Sequence, residues 1–119
     1  MFDFETLEFW KKSHQLTVQI YKITRNFPID ERFGMTSHIR RTAFSIPSNI
    51  AEGCGRNGKR ELFNFFNIAA GSCSELNYQL RLANELGYIE DSDYKELKLE
   101  VIETQKMIRS YMNTLNSKS

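Results

Sequence analysis

Apolar residues in the third quarter of the chain recur at alternating steps of four and three. This period places them on one side of an α-helix, since a half-buried strand would have a period of two. The pattern continues for about three heptads, as in the core seam of a helical bundle. It stops before Leu86-Gly87, where glycine suits the end of a helix. The seam residues are Leu62, Phe66, Ala69, Cys73, Leu76, Leu80 and Ala83.

Three further segments have the same helical period. The first runs from about Glu5 to Asn26 and stops at Phe27-Pro28, because the residue before a proline avoids the α region. The second runs from about Arg32 to Glu52. The fourth begins near the capping residues Asp91 to Asp93 and repeats the alternation of the third. The polar residues 116–119 are expected to fray.

Four helices with short connections predict an all-α fold, an antiparallel up-and-down four-helix bundle. The apolar fraction of 40% is typical of a globular chain, and 119 residues suit one domain over residues 1–119. Pro47 lies inside the second helix and removes the N–H that would bond to the Ala43 carbonyl. The chain is therefore expected to kink or restart there, with Ser45, Ser48 and Asn49 satisfying the freed backbone groups.

The third helix carries a wider apolar face than a two-residue seam. Leu62, Phe63, Phe65 and Phe66 spread over roughly 160° of its circumference at about 100° per residue. Two explanations remain open. One is a thick core against both neighbouring helices, and the other is an interface with a second subunit.

Charge and hydropathy exclude little about partners. The chain has 16 Lys and Arg against 15 Asp and Glu, and a net charge of +1 gives no global reason to bind nucleic acid or membrane. No stretch approaches the roughly 18 apolar residues that span a bilayer, and the start of the chain does not resemble a signal peptide. The expectation is a cytoplasmic protein without a membrane partner.

The glycine-rich segment from Gly53 to Gly58 matches GxGxxG, but its context argues against a dinucleotide site. That fingerprint works between a buried strand and a helix, and the residues before Gly53 indicate a helix. We therefore expect no cofactor, and we interpret the glycines as the break between the second and third helices. Gly58 is the expected N-cap, with Glu61 as half of a capping box.

Basic residues are concentrated around this segment. Between residues 40 and 60 the only acid is Glu52. Exposed amides at the start of the third helix would favour an anion, so a phosphate-rich partner is one interpretation. The other is pairing of the arginines with Glu52, Glu61 or Glu75. The basic residues are Arg40, Arg41, Arg56, Lys59 and Arg60.

Catalytic and metal-binding patterns do not occur. His14 and His38 lack the Glu-x-x-His spacing of carboxylate-bridged metal sites in bundles, and there is no HExxH motif. Cys54 and Cys73 are predicted to be free thiols, with Cys73 buried on the seam. We expect no metal, no small-molecule substrate and no enzymatic activity.

The segments HIRRTAFSIPSNIAEGCGR, from His38 to Arg56, and FNIAAGSCSELNYQL, from Phe66 to Leu80, resemble a bacterial family. It is the four-helix bundle protein encoded in intervening sequences of 23S ribosomal RNA genes, and the similarity covers most of the chain. The positions that match the family are Arg40, Arg41, Ser45, Pro47, Asn49, Glu52, Gly53, Gly55, Arg56, Glu61, Gly71, Ser72 and Glu75. Two residues depart from it, since His38 replaces a usual glutamine and Gly58 a usual Ser or Thr cap.

The resemblance implies a left-handed bundle that assembles as a ring-like homopentamer, cytoplasmic and without known catalytic activity. It also implies kinship to accessory proteins of diversity-generating retroelements, which bind nucleic acid and a reverse transcriptase. The leading hypothesis is therefore a self-associating bundle that binds RNA, DNA or a nucleoprotein through the five basic residues. The alternative is a protein-interaction scaffold that binds no nucleic acid.

Overall fold

The computed structural model describes residues 3–117, which form four α-helices and three short 3₁₀ helices. Within that range there is no strand. No helix of this part of the chain has the length and apolar character needed to cross a membrane. The α-helices are α1 (Glu8–Ile23), α2 (Met35–Cys54), α3 (Lys59–Glu85) and α4 (Asp91–Ser117), and the 3₁₀ helices are Phe4–Thr6, Thr24–Asn26 and Ile29–Glu31.

The helices pack in the order α1, α2, α3, α4, and α4 returns to contact α1. Short connections make sequential neighbours antiparallel, so the predicted four-helix bundle is confirmed. The molecule measures 47 × 23 × 20 Å. On the side between α1 and α4, a groove of about 600 Å³ is lined by residues that include Gln19, Lys22, Glu96 and Glu100.

The seam of α3 lies at the centre of the core. Six of its seven residues are completely buried, and Leu62 is 7% exposed. The Phe66 ring meets the rings of Phe9 from α1 and Tyr111 from α4, with centroids 5.6 Å apart in both pairs. Contacts across three helices explain why the period of α3 is the clearest in the sequence.

Helix α2 begins three residues later than the sequence predicted, at Met35. The Glu31 carboxylate accepts the N–H of Met35 at 3.1 Å and the hydroxyl of Tyr88 at 2.9 Å. These two bonds lower the pKa of Glu31, and the hydrogen bond to Glu31 raises the pKa of Tyr88. A side chain four residues upstream thus caps the helix and joins it to the α3–α4 connection.

Helix α2 continues through Pro47 without a break. The Ala43 carbonyl, which loses its helical donor to the proline, accepts a hydrogen bond of 3.1 Å from the hydroxyl of Thr17 on α1. The expected local partners bond elsewhere: Ser45 contacts the Thr42 carbonyl, and Asn49 donates to the Ser45 carbonyl. The freed carbonyl is satisfied by a neighbouring helix.

The large apolar side chains at the start of α3 pack mainly inside the bundle. Leu62 and Phe66 are buried, and Phe63 is half-buried against the core. Phe65 is half-buried, and the Arg56 guanidinium lies 5.0 Å from its ring centroid.

At the other end of the chain, α4 remains helical through residues 116 and 117, so fraying does not begin there. Residues 118 and 119 lie outside the described range.

Candidate functional site

The five basic residues occupy two separate places. Arg40 and Arg41, the helix group, lie in the first half of α2. Arg56, Lys59 and Arg60, the loop group, lie in the connection to α3 and in its first turn. At 1.5 Å per residue, the two groups are about 20 Å apart along α2. The fold therefore presents two basic positions at different heights of the bundle.

Arg40 is held against α1. Its Nε donates to the Thr24 hydroxyl at 2.7 Å and its Nη2 to the Tyr21 carbonyl at 3.2 Å. The guanidinium also lies 4.9 Å from the centroid of the Tyr21 ring. Arg41, the next residue, points away from the core and is exposed. The contacts of Arg40 fix a positive charge at the junction of α1 and α2.

Arg56 pairs with acids of its own chain. Its Nε lies 3.0 Å from the Glu52 carboxylate, and its Nη1 lies 3.6 Å from that of Glu61. All three side chains are about half exposed, and such pairs contribute about 0–1 kcal/mol to stability. The pairing is the one that the scaffold hypothesis expected for this arginine. The Glu61 carboxylate, which was expected to form half of a capping box, contacts Arg56 through this pair.

Gly58 is the N-cap of α3, as predicted, and its φ of 94° explains the preference for glycine there. Lys59 and Arg60 follow in the first turn of the helix, where the backbone dipole is positive. Both side chains are exposed. They border a shallow hollow that is also lined by Phe63 of α3 and by Leu115 near the end of α4.

Three of the residues that match the family lie where α2 meets α3. The hydroxyls of Ser45 and Ser72 are 2.7 Å apart and join the two helices. A Cβ on Gly53 would lie 3.0 Å from Phe65 Cβ and 3.3 Å from the Phe66 ring, so only glycine fits without a shift. Gly55 is the C-cap of α2, whereas Gly71 and Glu75 are exposed on α3. Ser45, Ser72 and Gly53 therefore shape the contact between the two helices.

Neither cysteine has the properties of a nucleophile. Burial raises the pKa of Cys54 to about 11 and that of Cys73 to about 12, so both are protonated thiols at neutral pH. They remain free thiols, as predicted. Over residues 3–117, no group of three or more His, Cys, Asp or Glu side chains is placed to hold a metal ion.

Several apolar side chains outside the seam are exposed, and the apolar period of the helices did not identify them. Ile68 and Tyr78 on α3 are 52% and 62% exposed. Phe44 on α2 and Tyr21 on α1 are also exposed. Their signal in the sequence was their position off the apolar period, on the polar side of each helix.

The same arrangement of helices occurs in a protein of the S23 ribosomal protein family from Bacteroides thetaiotaomicron, whose function is described as unknown. The two chains are 25% identical and superpose with a TM-score of 0.82, over 88% of this chain and 95% of the other. The family described as 23S rRNA-intervening sequence protein matches residues 5–110. The chain belongs to this family. No curated protein sequence matches it.

Membership in the intervening-sequence family agrees with the motif on which the resemblance was based. The matched residues run from the 3₁₀ helix at Phe4–Thr6 almost to the end of α4, so they cover all four helices. The SIPSNIAEG segment includes Pro47, which leaves the Ala43 carbonyl free to accept the Thr17 hydroxyl, and Gly53, which lets α3 approach. In this intervening-sequence protein the motif therefore has a structural explanation.

Proposed function

We propose that this chain is a non-enzymatic scaffold that associates with further copies of itself through the outer side of α3. The observation that carries the proposal is the exposure of Ile68 and Tyr78 on that side. The two side chains lie about 15 Å apart along the helix and about 80° apart around it. Large apolar side chains that remain exposed commonly mark interaction surfaces.

The size of this surface suits a stable contact. Helix α3 has 27 residues, which corresponds to a length of about 40 Å. A strip of that length can supply the roughly 800 Å² per partner that specific interfaces bury. The resemblance to the intervening-sequence family supports a closed ring of five copies as the assembly. The buried, protonated thiols of Cys54 and Cys73 are consistent with a role outside catalysis.

Light scattering after size exclusion tests self-association. The expected mass is five times the 14.0 kDa of one chain, and Ile68→Gln combined with Tyr78→Gln should reduce it toward 14.0 kDa. The matched control is Leu99→Gln on α4, where the side chain is 69% exposed and the mass should not change. Circular dichroism verifies that each variant remains helical. A monomeric wild type at micromolar concentration would contradict the proposal.

A second candidate function is the binding of RNA or DNA through the basic residues. Arg41 and Arg60 favour it, because both are exposed and neither forms an ion pair among the described residues. Charges of this kind bind phosphates with an affinity that falls steeply as salt increases. Arg56 favours the scaffold alternative, since Glu52 and Glu61 neutralise it.

Gel retardation of structured RNA and of duplex DNA at low salt separates the candidates. Arg41→Gln, Lys59→Gln and Arg60→Gln together should abolish retardation if the basic residues bind nucleic acid. Arg56→Gln is the control and should have a smaller effect, because this guanidinium already contacts two carboxylates. If the wild type retards neither probe, only the scaffold function remains.

A further inference from the structure

A row of ring-bearing side chains lies along the outer side of α1 and α2. The His14 ring stacks on Trp10, with centroids 5.1 Å apart and planes 3° apart. Farther along α1, Tyr21 is 42% exposed and contacts the Arg40 guanidinium. Phe44 is 55% exposed on α2. We call Trp10, His14, Phe44 and Tyr21 the aromatic row.

The contacts between α1 and α2 give the order of these rings. The Thr17 hydroxyl reaches the Ala43 carbonyl, so Phe44 lies at the height of Thr17. His14 and Tyr21 are three and four residues from Thr17 along α1, which corresponds to about 4.5 and 6 Å. His14, Phe44 and Tyr21 therefore present rings at three successive heights, about one helical turn apart, and Trp10 lies one turn beyond His14.

The surface around the row is positively charged. Helix α1 has no acid after Glu8, and α2 has none from Met35 to residue 51. The two acids between these helices are Asp30 and Glu31, and Glu31 is engaged as the cap of α2. The cations beside the row are Arg25, Arg40 and Arg41, whereas Lys11 pairs with Glu8.

The net charge of +1 conceals this surface because the acids lie elsewhere. Residues 85–103, at the end of α3 and in α4, contain seven acids and only two lysines. The outer side of α1 and α2 therefore carries a positive potential that the whole-chain average does not reveal. The segregation of charge follows from the sequence, but the placement of the rings among the cations needs the fold.

We propose that the aromatic row and its flanking cations bind single-stranded nucleic acid. The cations contact phosphates, and bases stack on the exposed rings of Phe44 and Tyr21. Arg40 is a positioning residue, since its bonds to Thr24 and the Tyr21 carbonyl hold its charge beside the Tyr21 ring. This inference rests on the second candidate function. It specifies the class of nucleic acid that binds, and it places the centre of the binding site at the aromatic row and not at the loop group.

The rings favour a single strand over a duplex. A duplex keeps its bases stacked inside, so it offers phosphates to the cations but no base faces to Phe44 or Tyr21. A single strand offers both. A second copy of the chain is a weaker candidate occupant, because the same face on that copy carries charge of the same sign.

The test uses a fluorescent oligothymidylate of about 15 nucleotides, within the range of known single-strand site sizes. Binding is measured by anisotropy, beside a duplex of the same length. Trp10 is the only tryptophan in the chain, so its emission reports directly on the row. The expected results are tighter binding of the single strand and quenching of Trp10 on saturation.

Substitutions locate the site. Phe44→Ala and Tyr21→Ala should each weaken single-strand binding about tenfold, the size expected for loss of one stacked base. Arg41→Gln should reduce the slope of log affinity against log salt by about 0.7. Leu99→Ala on α4 is the matched control for loss of an exposed apolar side chain and should leave affinity unchanged.

Each remaining outcome overturns the inference in a distinguishable way. If no probe binds, the nucleic-acid function fails entirely and self-association is unaffected. If Lys59→Gln with Arg60→Gln abolishes binding while Phe44→Ala and Tyr21→Ala do not weaken it, the loop group is the site. Preference for the duplex removes the role of the rings. If Phe44→Ala changes the mass by light scattering instead of the affinity, the face joins copies of the chain.

Discussion

Pro47 stands in the middle of α2, and the helix tolerates it with the help of a side chain from α1. The Ala43 carbonyl has no backbone donor and lies 3.1 Å from the Thr17 hydroxyl. That hydroxyl is also 2.7 Å from the Ser13 carbonyl. The Ser13 carbonyl has a helical N–H partner of its own, so Ala43 is the group that depends on Thr17.

Thr17→Val should lower the free energy of unfolding by about 1–2 kcal/mol, because it leaves a buried carbonyl unsatisfied. Pro47→Ala returns an N–H to α2, and in that background the same Thr17→Val change should cost much less. Urea unfolding of the four proteins gives the coupling energy. Thr17→Ser is the control, since it retains the hydroxyl. Equal costs of Thr17→Val in both backgrounds would contradict this account.

At this scale the sequence predicted burial better than polar contacts. The period of α3 identified Phe66 and the other seam residues because burial follows helical phase. The Thr17–Ala43 bond could not be predicted, since it joins residues of two helices whose register the pattern leaves open. The sequence places Arg40 and Arg41 side by side but does not give the direction of each side chain, because adjacent residues on a helix point about 100° apart. Arg40 therefore contacts Tyr21, whereas Arg41 is exposed.

At the scale of elements, the start of α2 depends on a carboxylate shared with the α3–α4 connection. Glu31 accepts the Met35 N–H and the Tyr88 hydroxyl. Its pKa is lowered by these bonds, so its contribution is present above its ordinary value of 4.5 and is lost as pH falls. The pKa of Tyr88 is raised, so its contribution is present below 10.0 and is lost as pH rises through the folded value.

Tyr88→Phe should therefore lower the melting temperature at pH 7. It should also reduce the further decrease of the melting temperature as the pH rises above the pKa of Tyr88. This decrease occurs in the wild type because deprotonated Tyr88 cannot donate a hydrogen bond to Glu31. Differential scanning calorimetry between pH 3 and pH 11 measures both limits, with Tyr94→Phe as the control because Tyr94 contacts Lys98 through its ring, which phenylalanine retains. Parallel curves for the wild type and Tyr88→Phe above pH 9 would show that the Tyr88–Glu31 bond contributes nothing.

The contact of α2 with α3 depends on Gly53. A methyl group there meets Phe65 Cβ at 3.0 Å and the Phe66 ring at 3.3 Å. Gly53→Ala should destabilise the protein by about 1–3 kcal/mol, as overpacked cores do. The same change at Gly71, where a Cβ would meet no described atom within 4 Å beyond its chain neighbours and the adjacent backbone of α3, should stabilise α3 by about 0.5–1 kcal/mol. Chemical denaturation compares the two, and a stabilising Gly53→Ala would show that α3 can move away.

At the scale of the whole molecule, the helix order and the antiparallel packing followed from four periodic segments. The predicted helix ends were less accurate. Helix α2 begins at Met35, where Glu31 caps it, and not at Arg32. The predicted first helix is replaced by 3₁₀ helices at both of its ends. The relation between surfaces could not be predicted, because the pattern does not say which polar sides lie next to each other. The aromatic row is one result of that packing.

The four sides of the bundle also differ in how firmly they are joined. The groove of about 600 Å³ separates α1 from α4, whereas α3 packs closely against both of its neighbours. Across the groove, Lys12 contacts the carboxylates of Glu100 at 3.2 Å and Glu103 at 2.7 Å. These bonds raise the pKa of Lys12 and lower that of Glu103, so both groups are charged at neutral pH.

Helix α1 should therefore open more readily than α2 or α3, and amide hydrogen exchange at pH 7 should show weaker protection in Glu8–Ile23. Lys12→Gln should accelerate exchange in α1 by roughly two- to fivefold, because a partly exposed ion pair across two helices is lost. Lys11→Gln is the matched control, since Lys11 pairs with Glu8 of its own helix, at 3.8 Å. High salt should reduce the difference between the two variants. If Lys12→Gln accelerates exchange equally in α1 and α3, the four helices open as one cooperative unit and the groove is not a weak side.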